Sequence, residues 1–285
     1  MEEGNIIKKE EDNYPEKLKK TEEAPPDIKY RGKLRKEIFS HTLAVVGSRR
    51  MTSYGKKATE KIVREIASEG ITIVSGFMYG IDATAHRAAL SARGNTIAVM
   101  PCGVNVIHPS YQKDLYKEIE ENGLILSEFE DNFPPDKWTY PKRNRIVVGI
   151  SDATLVVEAA EGSGSLISAD FAKKYNRKLF AVPGPIFNKN SQGTNRLIKE
   201  GATPVTSSLD ILSFFGKDKK ESLKVKREKL SKEEELILKA LEEEPAEPDE
   251  ITRRIKLPAS KVSTGLSMLE LKGFLEKKKG RYYPL

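Results

Sequence analysis

Cysteine, tryptophan, histidine and long apolar runs are all scarce in this sequence of 285 residues. The single cysteine, Cys102, excludes an internal disulfide and a zinc site built from several cysteines. No apolar run approaches the roughly 20 residues that a helix needs to cross a bilayer. Residues 1–12 also lack the apolar stretch of a secretory signal. We therefore expect a cytoplasmic protein without a membrane partner.

Motifs of nucleotide-dependent enzymes are missing as well. The sequence has neither the phosphate-binding lysine loop nor the Gly-x-Gly-x-x-Gly fingerprint of dinucleotide enzymes. Among the histidines, His86 lies four residues after Asp82, a spacing that places both on one helix face. Without a further ligand at suitable spacing, we interpret the pair as a structural contact rather than a metal site. The sequence thus predicts no catalytic centre, no metal and no cofactor.

The chain as a whole is only mildly basic. Its formal net charge is +7 and its pI is near 9.1, which favours an anionic partner. The excess of positive charge is most concentrated in residues 217–229, which contain seven basic and three acidic side chains. A nucleic-acid site would therefore be a local cluster that folding assembles, rather than a polybasic tail.

Between residues 41 and 216, short runs rich in β-branched residues alternate with amphipathic helical stretches. This order predicts parallel strands joined by right-handed crossovers. We predict an α/β fold with an extended Rossmann-like, doubly wound, mostly parallel sheet, and residues 1–40 as an extension leading into it. The predicted strands are Leu43–Val46, Ile71–Ser75, Thr96–Met100, Leu124–Glu128, Ala153–Glu158, Leu179–Val182 and Pro204–Thr206.

The last part of the chain has a different pattern. Residues 217–229 have no apolar periodicity and predict a basic linker. Residues 230–285 contain three helical stretches, followed by two short strand-like runs around a Lys-Lys-Gly turn. Three helices followed by a β-ribbon are typical of a winged-helix domain. We therefore predict a small winged-helix domain at the carboxyl end.

Glycine and serine follow most of the predicted strands, at the edge of the sheet where ligands bind in such folds. One glycine at such a position is most often a simple turn, but several on one edge favour a ligand site. Small residues there allow backbone N–H groups and helix amino termini to approach an anion. The candidate anion-binding residues are Gly47, Ser48, Ser75, Gly76, Ser163, Gly164 and Ser165.

Cations and aromatic rings occur beside these loops. Arg49 and Arg50 follow the first predicted strand, where a guanidinium can bind phosphate oxygens in pairs. The run 138–145 mixes three cations with two aromatics, and such mixtures bind the backbone and the bases of single-stranded nucleic acid. Packing of this run against the sheet, and helix capping by the serines at 163 and 165, are the alternatives. The further candidates are Lys142, Arg143, Asn144 and Arg145 for the backbone, and Tyr140 and Phe187 for base stacking.

The order and spacing of these motifs resemble the DNA-processing protein A (DprA/Smf) family. The resemblance spans roughly residues 14–206, and many members share the winged-helix tail. The matching motifs are Tyr14-Pro15, Val45-Val46-Gly47-Ser48-Arg49, Ser75-Gly76 with Gly80-Ile81-Asp82, Tyr140-Pro141-x-Arg143-Asn144-Arg145, Ser163-Gly164-Ser165, Pro183-Gly184 and Gly193-x-Asn195.

This resemblance implies a homodimeric protein that binds single-stranded DNA. It implies that the protein protects strands taken up in natural transformation and helps to load the RecA recombinase onto them. It further implies that residues 47–49, Gly76 and the segment 143–145 line the DNA pocket, and Asn195 joins the candidates because it lies in a matching motif.

Two positions of the chain depart from the residue types usual in the family. Tyr79 stands where a cation is common, and His108-Pro109-Ser110 stands where Tyr-Pro followed by lysine is usual. We keep Ser110 as a candidate DNA contact. Lys113 follows about one helical turn later and is our candidate for the missing cation.

Two other functions are open from the sequence. Rossmann-like phosphoribohydrolases cleave nucleoside monophosphates and also use loops of small residues at helix amino termini. Those enzymes rely on a glutamate close to a pair of glycines, and residues 162–170 contain neither. A transcriptional regulator would instead read duplex DNA through the winged helix. The predicted recognition helix has little positive charge, whereas duplex readers normally make several phosphate contacts.

Overall fold

A mostly parallel β-sheet lies at the centre of this computed structural model, which describes residues 4–217, 230–278 and 280–284. The chain divides into two units, one ending at Gly216 and the other beginning at Lys217. The strands of the first unit are β1 (Asn5–Lys8), β2 (Asp27–Gly32), β3 (Thr42–Val46), β4 (Thr72–Ser75), β5 (Thr96–Val99), β6 (Leu124–Ser127), β7 (Ala153–Val156), β8 (Lys178–Ala181) and β9 (Thr203–Pro204).

The order of the strands creates a switch point beside β3. In the described residues the order is β1-β2-β6-β5-β4-β3-β7-β8-β9. Every neighbouring pair from β6 to β9 is parallel. The chain builds the sheet outward from β3 in one direction through β4 and then returns to add β7 on the other side. Ligands of open α/β sheets bind at such a point, beyond the carboxyl ends of the strands.

Helices cover both faces of the sheet, which explains why all five residues of β3 are buried. Alternate side chains enter opposite cores: Ala44 and Val46 pack on one face, Leu43 and Val45 on the other. The predicted doubly wound fold is confirmed, and each predicted strand overlaps an observed one. The helices of this unit are α1 (Glu16–Lys19), α2 (Ser53–Ser68), α3 (Ile81–Ser91), α4 (Lys113–Asn122), α5 (Thr139–Ile150), α6 (Gly164–Lys174), α7 (Lys189–Lys199) and α8 (Leu209–Leu212).

Two strands near the amino terminus were not predicted. β2 pairs antiparallel with β6, and β1 pairs antiparallel with β2, so both extend the sheet at one edge. Each strand buries one apolar side chain almost completely, Ile7 in β1 and Ile28 in β2. One buried residue in a short polar run is too weak a periodic signal to identify a strand from sequence.

Three helices and a β-hairpin form the second unit. They are α9 (Lys232–Glu243), α10 (Pro248–Ile255), α11 (Ala259–Leu271), β10 (Leu275–Lys278) and β11 (Arg281–Pro284). Ser231 begins α9 through a capping box with Glu234. Apolar side chains from all these elements meet in one core, for example Ile237, Ile251 and Tyr282. This is the winged-helix arrangement that the sequence predicts.

Two further expectations concern the linker and membrane-spanning helices. All of the predicted linker 217–229 except Lys217 lies outside the described residues. Across the part of the chain that the structure describes, no helix combines the length and the apolar character that a membrane span requires.

Candidate nucleic-acid interface

A cleft of about 700 Å³ opens at the switch point of the sheet. Its walls come from the loops after β3, β4 and β7 and from the amino-terminal ends of α5, α6 and α7. Among the described residues, five cations and two carboxylates line it, so the cleft attracts anions. They are Arg49, Arg50, Lys137, Arg143 and Lys189, and against them Asp82 and Glu161.

Most of the predicted site residues line this cleft. The structure brings them together from separate loops because the carboxyl ends of parallel strands meet at one edge of the sheet. They are Gly47, Ser48, Arg49, Arg50, Gly76, Tyr140, Arg143, Asn144, Ser163, Gly164 and Ser165.

The loop that carries Arg49 and Arg50 is held by Glu158, which is 1% exposed. The carboxylate of Glu158 accepts hydrogen bonds from both the backbone N–H, at 2.8 Å, and the hydroxyl of Thr52. Its backbone carbonyl accepts from the N–H of Ser48 at 2.8 Å. Thr52 in turn caps α2, since its hydroxyl oxygen accepts from the backbone N–H three residues later. Both ends of the loop are therefore fixed, and its two arginines extend from it at the rim.

Arg49 is exposed and lies over an aromatic ring. Its guanidinium carbon is 4.7 Å from the centroid of Tyr140, an arrangement in which the ring face attracts the cation. The hydroxyl of Tyr140 is 2.9 Å from Nε2 of His108. The sequence predicted that a base stacks on Tyr140, but the guanidinium of Arg49 covers that ring face. Tyr140 supports Arg49 at the mouth of the cleft.

Arg143 lies at the floor of the cleft and is only 3% exposed. Its Nη1 donates to the backbone carbonyl of Val99, and its Nε donates to Asn144 Oδ1 at 3.1 Å. Asp82 supplies the opposing charge. Gly76 makes this packing possible, because a Cβ there would contact the carboxylate of Asp82 and lie within 2.6 Å of Arg143 Nη1. A larger residue at position 76 would displace the buried guanidinium.

Burial controls the protonation of two side chains beneath the cleft. It raises the pKa of Asp82 to about 6, although the charge of Arg143 opposes the shift. It lowers the pKa of His86 to about 4, so the imidazole is neutral at pH 7. His86 Nε2 donates to the carbonyl of Gly76 at 2.6 Å, and Nδ1 is 2.7 Å from Thr96 Oγ1. His86 thus bonds with Gly76 and Thr96, and the predicted structural contact between Asp82 and His86 is wrong. Within residues 4–217, 230–278 and 280–284, no cluster of three potential ligands could hold a metal ion.

The amino terminus of α6 forms the wall opposite Arg49 and Arg50. Ser163 has an extended backbone and caps the helix, and its Oγ is 2.8 Å from Oγ of Ser165. The structure shows Ser163 as the helix cap, and both serines also line the cleft, where the predicted phosphate contact stays a prediction. The glycines beside them leave space, because a Cβ at Gly162 or Gly164 would meet no atom within 4 Å.

Two cations of the cleft were not predicted. Lys137 lies one residue before the cation-rich run 138–145, and Lys189 is the first residue of α7. Asn190 ties that helix to the opposite loop, because its Nδ2 donates to the carbonyl of Arg50 at 2.6 Å. Lys189 follows the Pro183-Gly184 motif beyond β8, and that position was the available signal.

Two predicted polar residues are occupied by backbone partners outside the cleft. Ser75 is fully buried and its hydroxyl donates to the carbonyl of Val45 at 2.6 Å. Asn195 accepts from the N–H of Gly184 at 3.2 Å and donates to its carbonyl at 3.0 Å. These bonds join neighbouring strands and hold the turn after β8.

Two predicted cations of α5 also lie outside the cleft lining. Arg145 is buried, pairs with Glu128, and donates to the backbone carbonyl of Glu23. Lys142 pairs with Glu128 at 3.1 Å and lies 5.6 Å from the ring centroid of Trp138. For this part of the run, the structure matches the alternative of packing against the sheet.

The remaining predicted residues lie outside the cleft lining too. Ser110 begins a short 3₁₀ turn and Lys113 begins α4. Lys113 is not among the lysines that line the cleft in the described residues, which are Lys137 and Lys189, and its role as the cation expected near Ser110 stays a prediction. Phe187 is 95% exposed, two residues before Lys189.

Comparison with family models covers both units. The model described as DNA recombination-mediator protein A matches residues 5–216, and that of the DprA winged helix domain matches residues 222–281. Protein Smf of Escherichia coli is 36% identical over 298 residues, covering 99% of this chain and 77% of its own. DNA processing protein DprA of Streptococcus pneumoniae is 41% identical over 205 residues, or 72% of each chain.

Solved structures agree with the sequence comparison. The X-ray structure of DprA from Streptococcus pneumoniae has a TM-score of 0.70 and 39% identity, covering 74% of both chains. DNA processing protein A from Helicobacter pylori, studied for its single-stranded DNA binding mode, has a TM-score of 0.67 and 32% identity over 74% of this chain and 99% of that one. The motifs, the sheet, the winged helix and these relatives lead to one conclusion: the chain belongs to the DNA recombination-mediator protein A family, the DprA/Smf proteins.

Proposed function

We propose that the cleft binds single-stranded DNA with little sequence preference. The observation that carries the proposal is the cluster of five cations around loops of small residues at the switch point of the sheet. Guanidinium and ammonium groups bind the phosphate backbone, and backbone contacts carry no sequence information. The Helicobacter pylori relative, which shares 32% identity, was studied for its binding of single-stranded DNA.

The cations divide into two groups by burial. Arg49 and Arg50 are exposed, and Arg49 is presented by Tyr140. They make the outer phosphate contacts together with Lys137 and Lys189. Arg143 is buried, bonded to the protein and opposed by the charge of Asp82, so it holds the floor of the cleft in place.

Phe187 is the more exposed of the two rings predicted to stack a base. It is 95% exposed, and among the described residues no cation or ring packs on it as Arg49 packs on Tyr140. Phe187→Ala should weaken binding of an oligothymidine about tenfold, because one stacked base contributes about 1–3 kcal/mol. The matched control is Leu271→Ala, since Leu271 is 82% exposed in the second unit. Equal affinities for the wild type and Phe187→Ala would remove Phe187 from the interface.

Arg49→Ala tests the outer phosphate contacts. We expect about tenfold weaker binding of a labelled oligothymidine in fluorescence anisotropy, with an unchanged melting temperature because the side chain is exposed. The slope of log affinity against log salt should fall by about one, as expected for one lost phosphate contact. Arg64→Ala, at an exposed position on α2, should change neither quantity. A salt slope unchanged by Arg49→Ala would show that this residue does not contact a phosphate.

In cells, the same binding would protect single strands and help to load RecA onto them during recombination and natural transformation. A homodimer would place two clefts on one strand and gain affinity through effective concentration. Family membership is what supports proposing these roles and a cytoplasmic location. A direct check is whether the purified protein speeds RecA filament formation on single strands already covered by a single-strand-binding protein.

We propose no catalytic step in the cleft and no sequence-specific duplex binding by the winged helix. On α11, Lys261 is paired with Glu233 at 3.0 Å, so the charge available for phosphates there is small. Release of free base from a nucleoside monophosphate would contradict the first statement. Preferential binding of a defined duplex would contradict the second.

A further inference from the structure

Ser168 is a buried hydroxyl that the proposed contacts leave unused. It lines the cleft, is 1% exposed, and its Oγ has no hydrogen-bond partner among the described residues. Buried hydroxyls are normally bonded, so one without a partner calls for a ligand or another explanation. Ser168 follows Ser165 by three residues and Gly164 by four, which places all three on one face of α6.

The direction of α6 brings this hydroxyl toward the first turn. Side chains on a helix lean toward its amino terminus, where the leading N–H groups have no intrahelical acceptor. The hydroxyl oxygens of Ser163 and Ser165 are 2.8 Å apart. One of the two hydroxyl hydrogens forms the bond between them, so the other hydroxyl hydrogen is available to donate to a ligand. Backbone N–H groups, this hydroxyl and that of Ser168 therefore form one group of donors.

The number of donors and the charge of the cleft favour a terminal phosphate over an internal one. A phosphomonoester presents three terminal oxygens and a charge of about −1.5 to −2 at pH 7. A phosphodiester in a chain offers one fewer free oxygen and about half the charge. Five cations against two carboxylates among the described lining residues match the more highly charged group. The open space beside Gly162 and Gly164 leaves room for it.

We propose that the amino terminus of α6, with Ser163, Ser165 and Ser168, is a phosphomonoester site. Its ligand is the 5′-terminal phosphate of a DNA strand or the phosphate of a free nucleotide. The inference rests on the proposed function, because it places the phosphate in the cleft that binds DNA. The protein then distinguishes phosphorylated ligands from otherwise identical ones that end in a hydroxyl.

The test compares two short oligothymidines labelled at the 3′ end, one with a 5′ phosphate and one with a 5′ hydroxyl, on the full chain. We expect the phosphorylated strand to bind about tenfold more tightly, as charge-assisted hydrogen bonds allow. Ser168→Ala should reduce that ratio severalfold and leave the affinity for the hydroxyl-ended strand unchanged. Ser151→Ala, which removes a buried hydroxyl bonded to Val147 outside the cleft lining, should leave the ratio intact.

Competition by thymidine 5′-monophosphate and thymidine distinguishes the two sources. Displacement of the labelled strands by the monophosphate alone would identify a free nucleotide as a ligand. A phosphate effect on strands without such displacement would identify the strand end. Equal affinity for both strands would overturn this inference and leave the proposed function standing, whereas failure of both strands to bind would overturn the proposed function itself. A Ser168→Ala variant that weakens both strands equally would also overturn the inference.

Discussion

Replacing Arg143 with methionine should lower the free energy of unfolding of the first unit by about 3 kcal/mol. Methionine keeps most of the apolar stem but leaves the buried Asp82 without its opposing charge and the carbonyl of Val99 without its donor. Trp138 is the only tryptophan and packs on Phe129 and Phe133 in this unit. Its fluorescence during urea denaturation therefore follows the relevant transition.

A second substitution separates charge from packing in this experiment. Asp82→Asn together with Arg143→Met should recover most of the lost stability, because it removes the carboxylate that the first change leaves uncompensated. Arg64→Met, at an exposed position on α2, is the matched control and should cost less than about 0.5 kcal/mol. An Arg143→Met protein as stable as the wild type would mean that the guanidinium is not the structural centre of the cleft floor.

Between pH 4 and 6.5, two buried groups should act on stability in opposite directions. Burial lowers the pKa of His86 from 6.5 to about 4, so its contribution is complete above pH 6.5 and is lost as the pH falls toward 4. Burial raises the pKa of Asp82 from 3.8 to about 6, so its contribution is complete below pH 3.8 and is lost as the pH rises through 6. Each pKa shift changes the free energy of unfolding by about 3 kcal/mol. In the wild type they largely cancel.

Single substitutions should expose each contribution. Asp82→Asn keeps the histidine effect, so relative to wild type this variant should lose about 3 kcal/mol between pH 7 and pH 4. His86→Gln keeps the carboxyl effect and should gain stability over the same acidification. Urea titrations at a series of pH values measure both differences. Parallel pH profiles for the three proteins would show that neither group titrates with a shifted pKa.

The parallel strands could be predicted because both of their faces are buried. β3 and β4 are apolar or β-branched throughout apart from a terminal serine, and such runs leave a strong signal. β1 and β2 escaped prediction because each has only one fully buried side chain, and the pairing of β2 with β6 depends on residues almost a hundred positions away. Local patterns do not encode such a distant partner.

The site could be predicted as a set of loops but not as a set of contacts. Arg49 and Arg50 were found because they follow a strand, and strand ends meet at one edge. The sequence could not show that Arg143 is buried beneath Gly76, since that depends on the close approach of two loops. It also could not show which cations of the run 142–145 face the cleft. Arg145 pairs with Glu128 instead, because successive side chains on a helix point in different directions.

The central claim is that single-stranded DNA occupies the cleft, and amide hydrogen exchange with and without oligothymidine tests it most directly. Exchange should slow in residues 47–52, 76–82 and 161–168, which surround the cleft, while α11 of the winged helix should be unaffected. Protection confined to α11, or absent from the three loops when the strand is bound, would contradict the account.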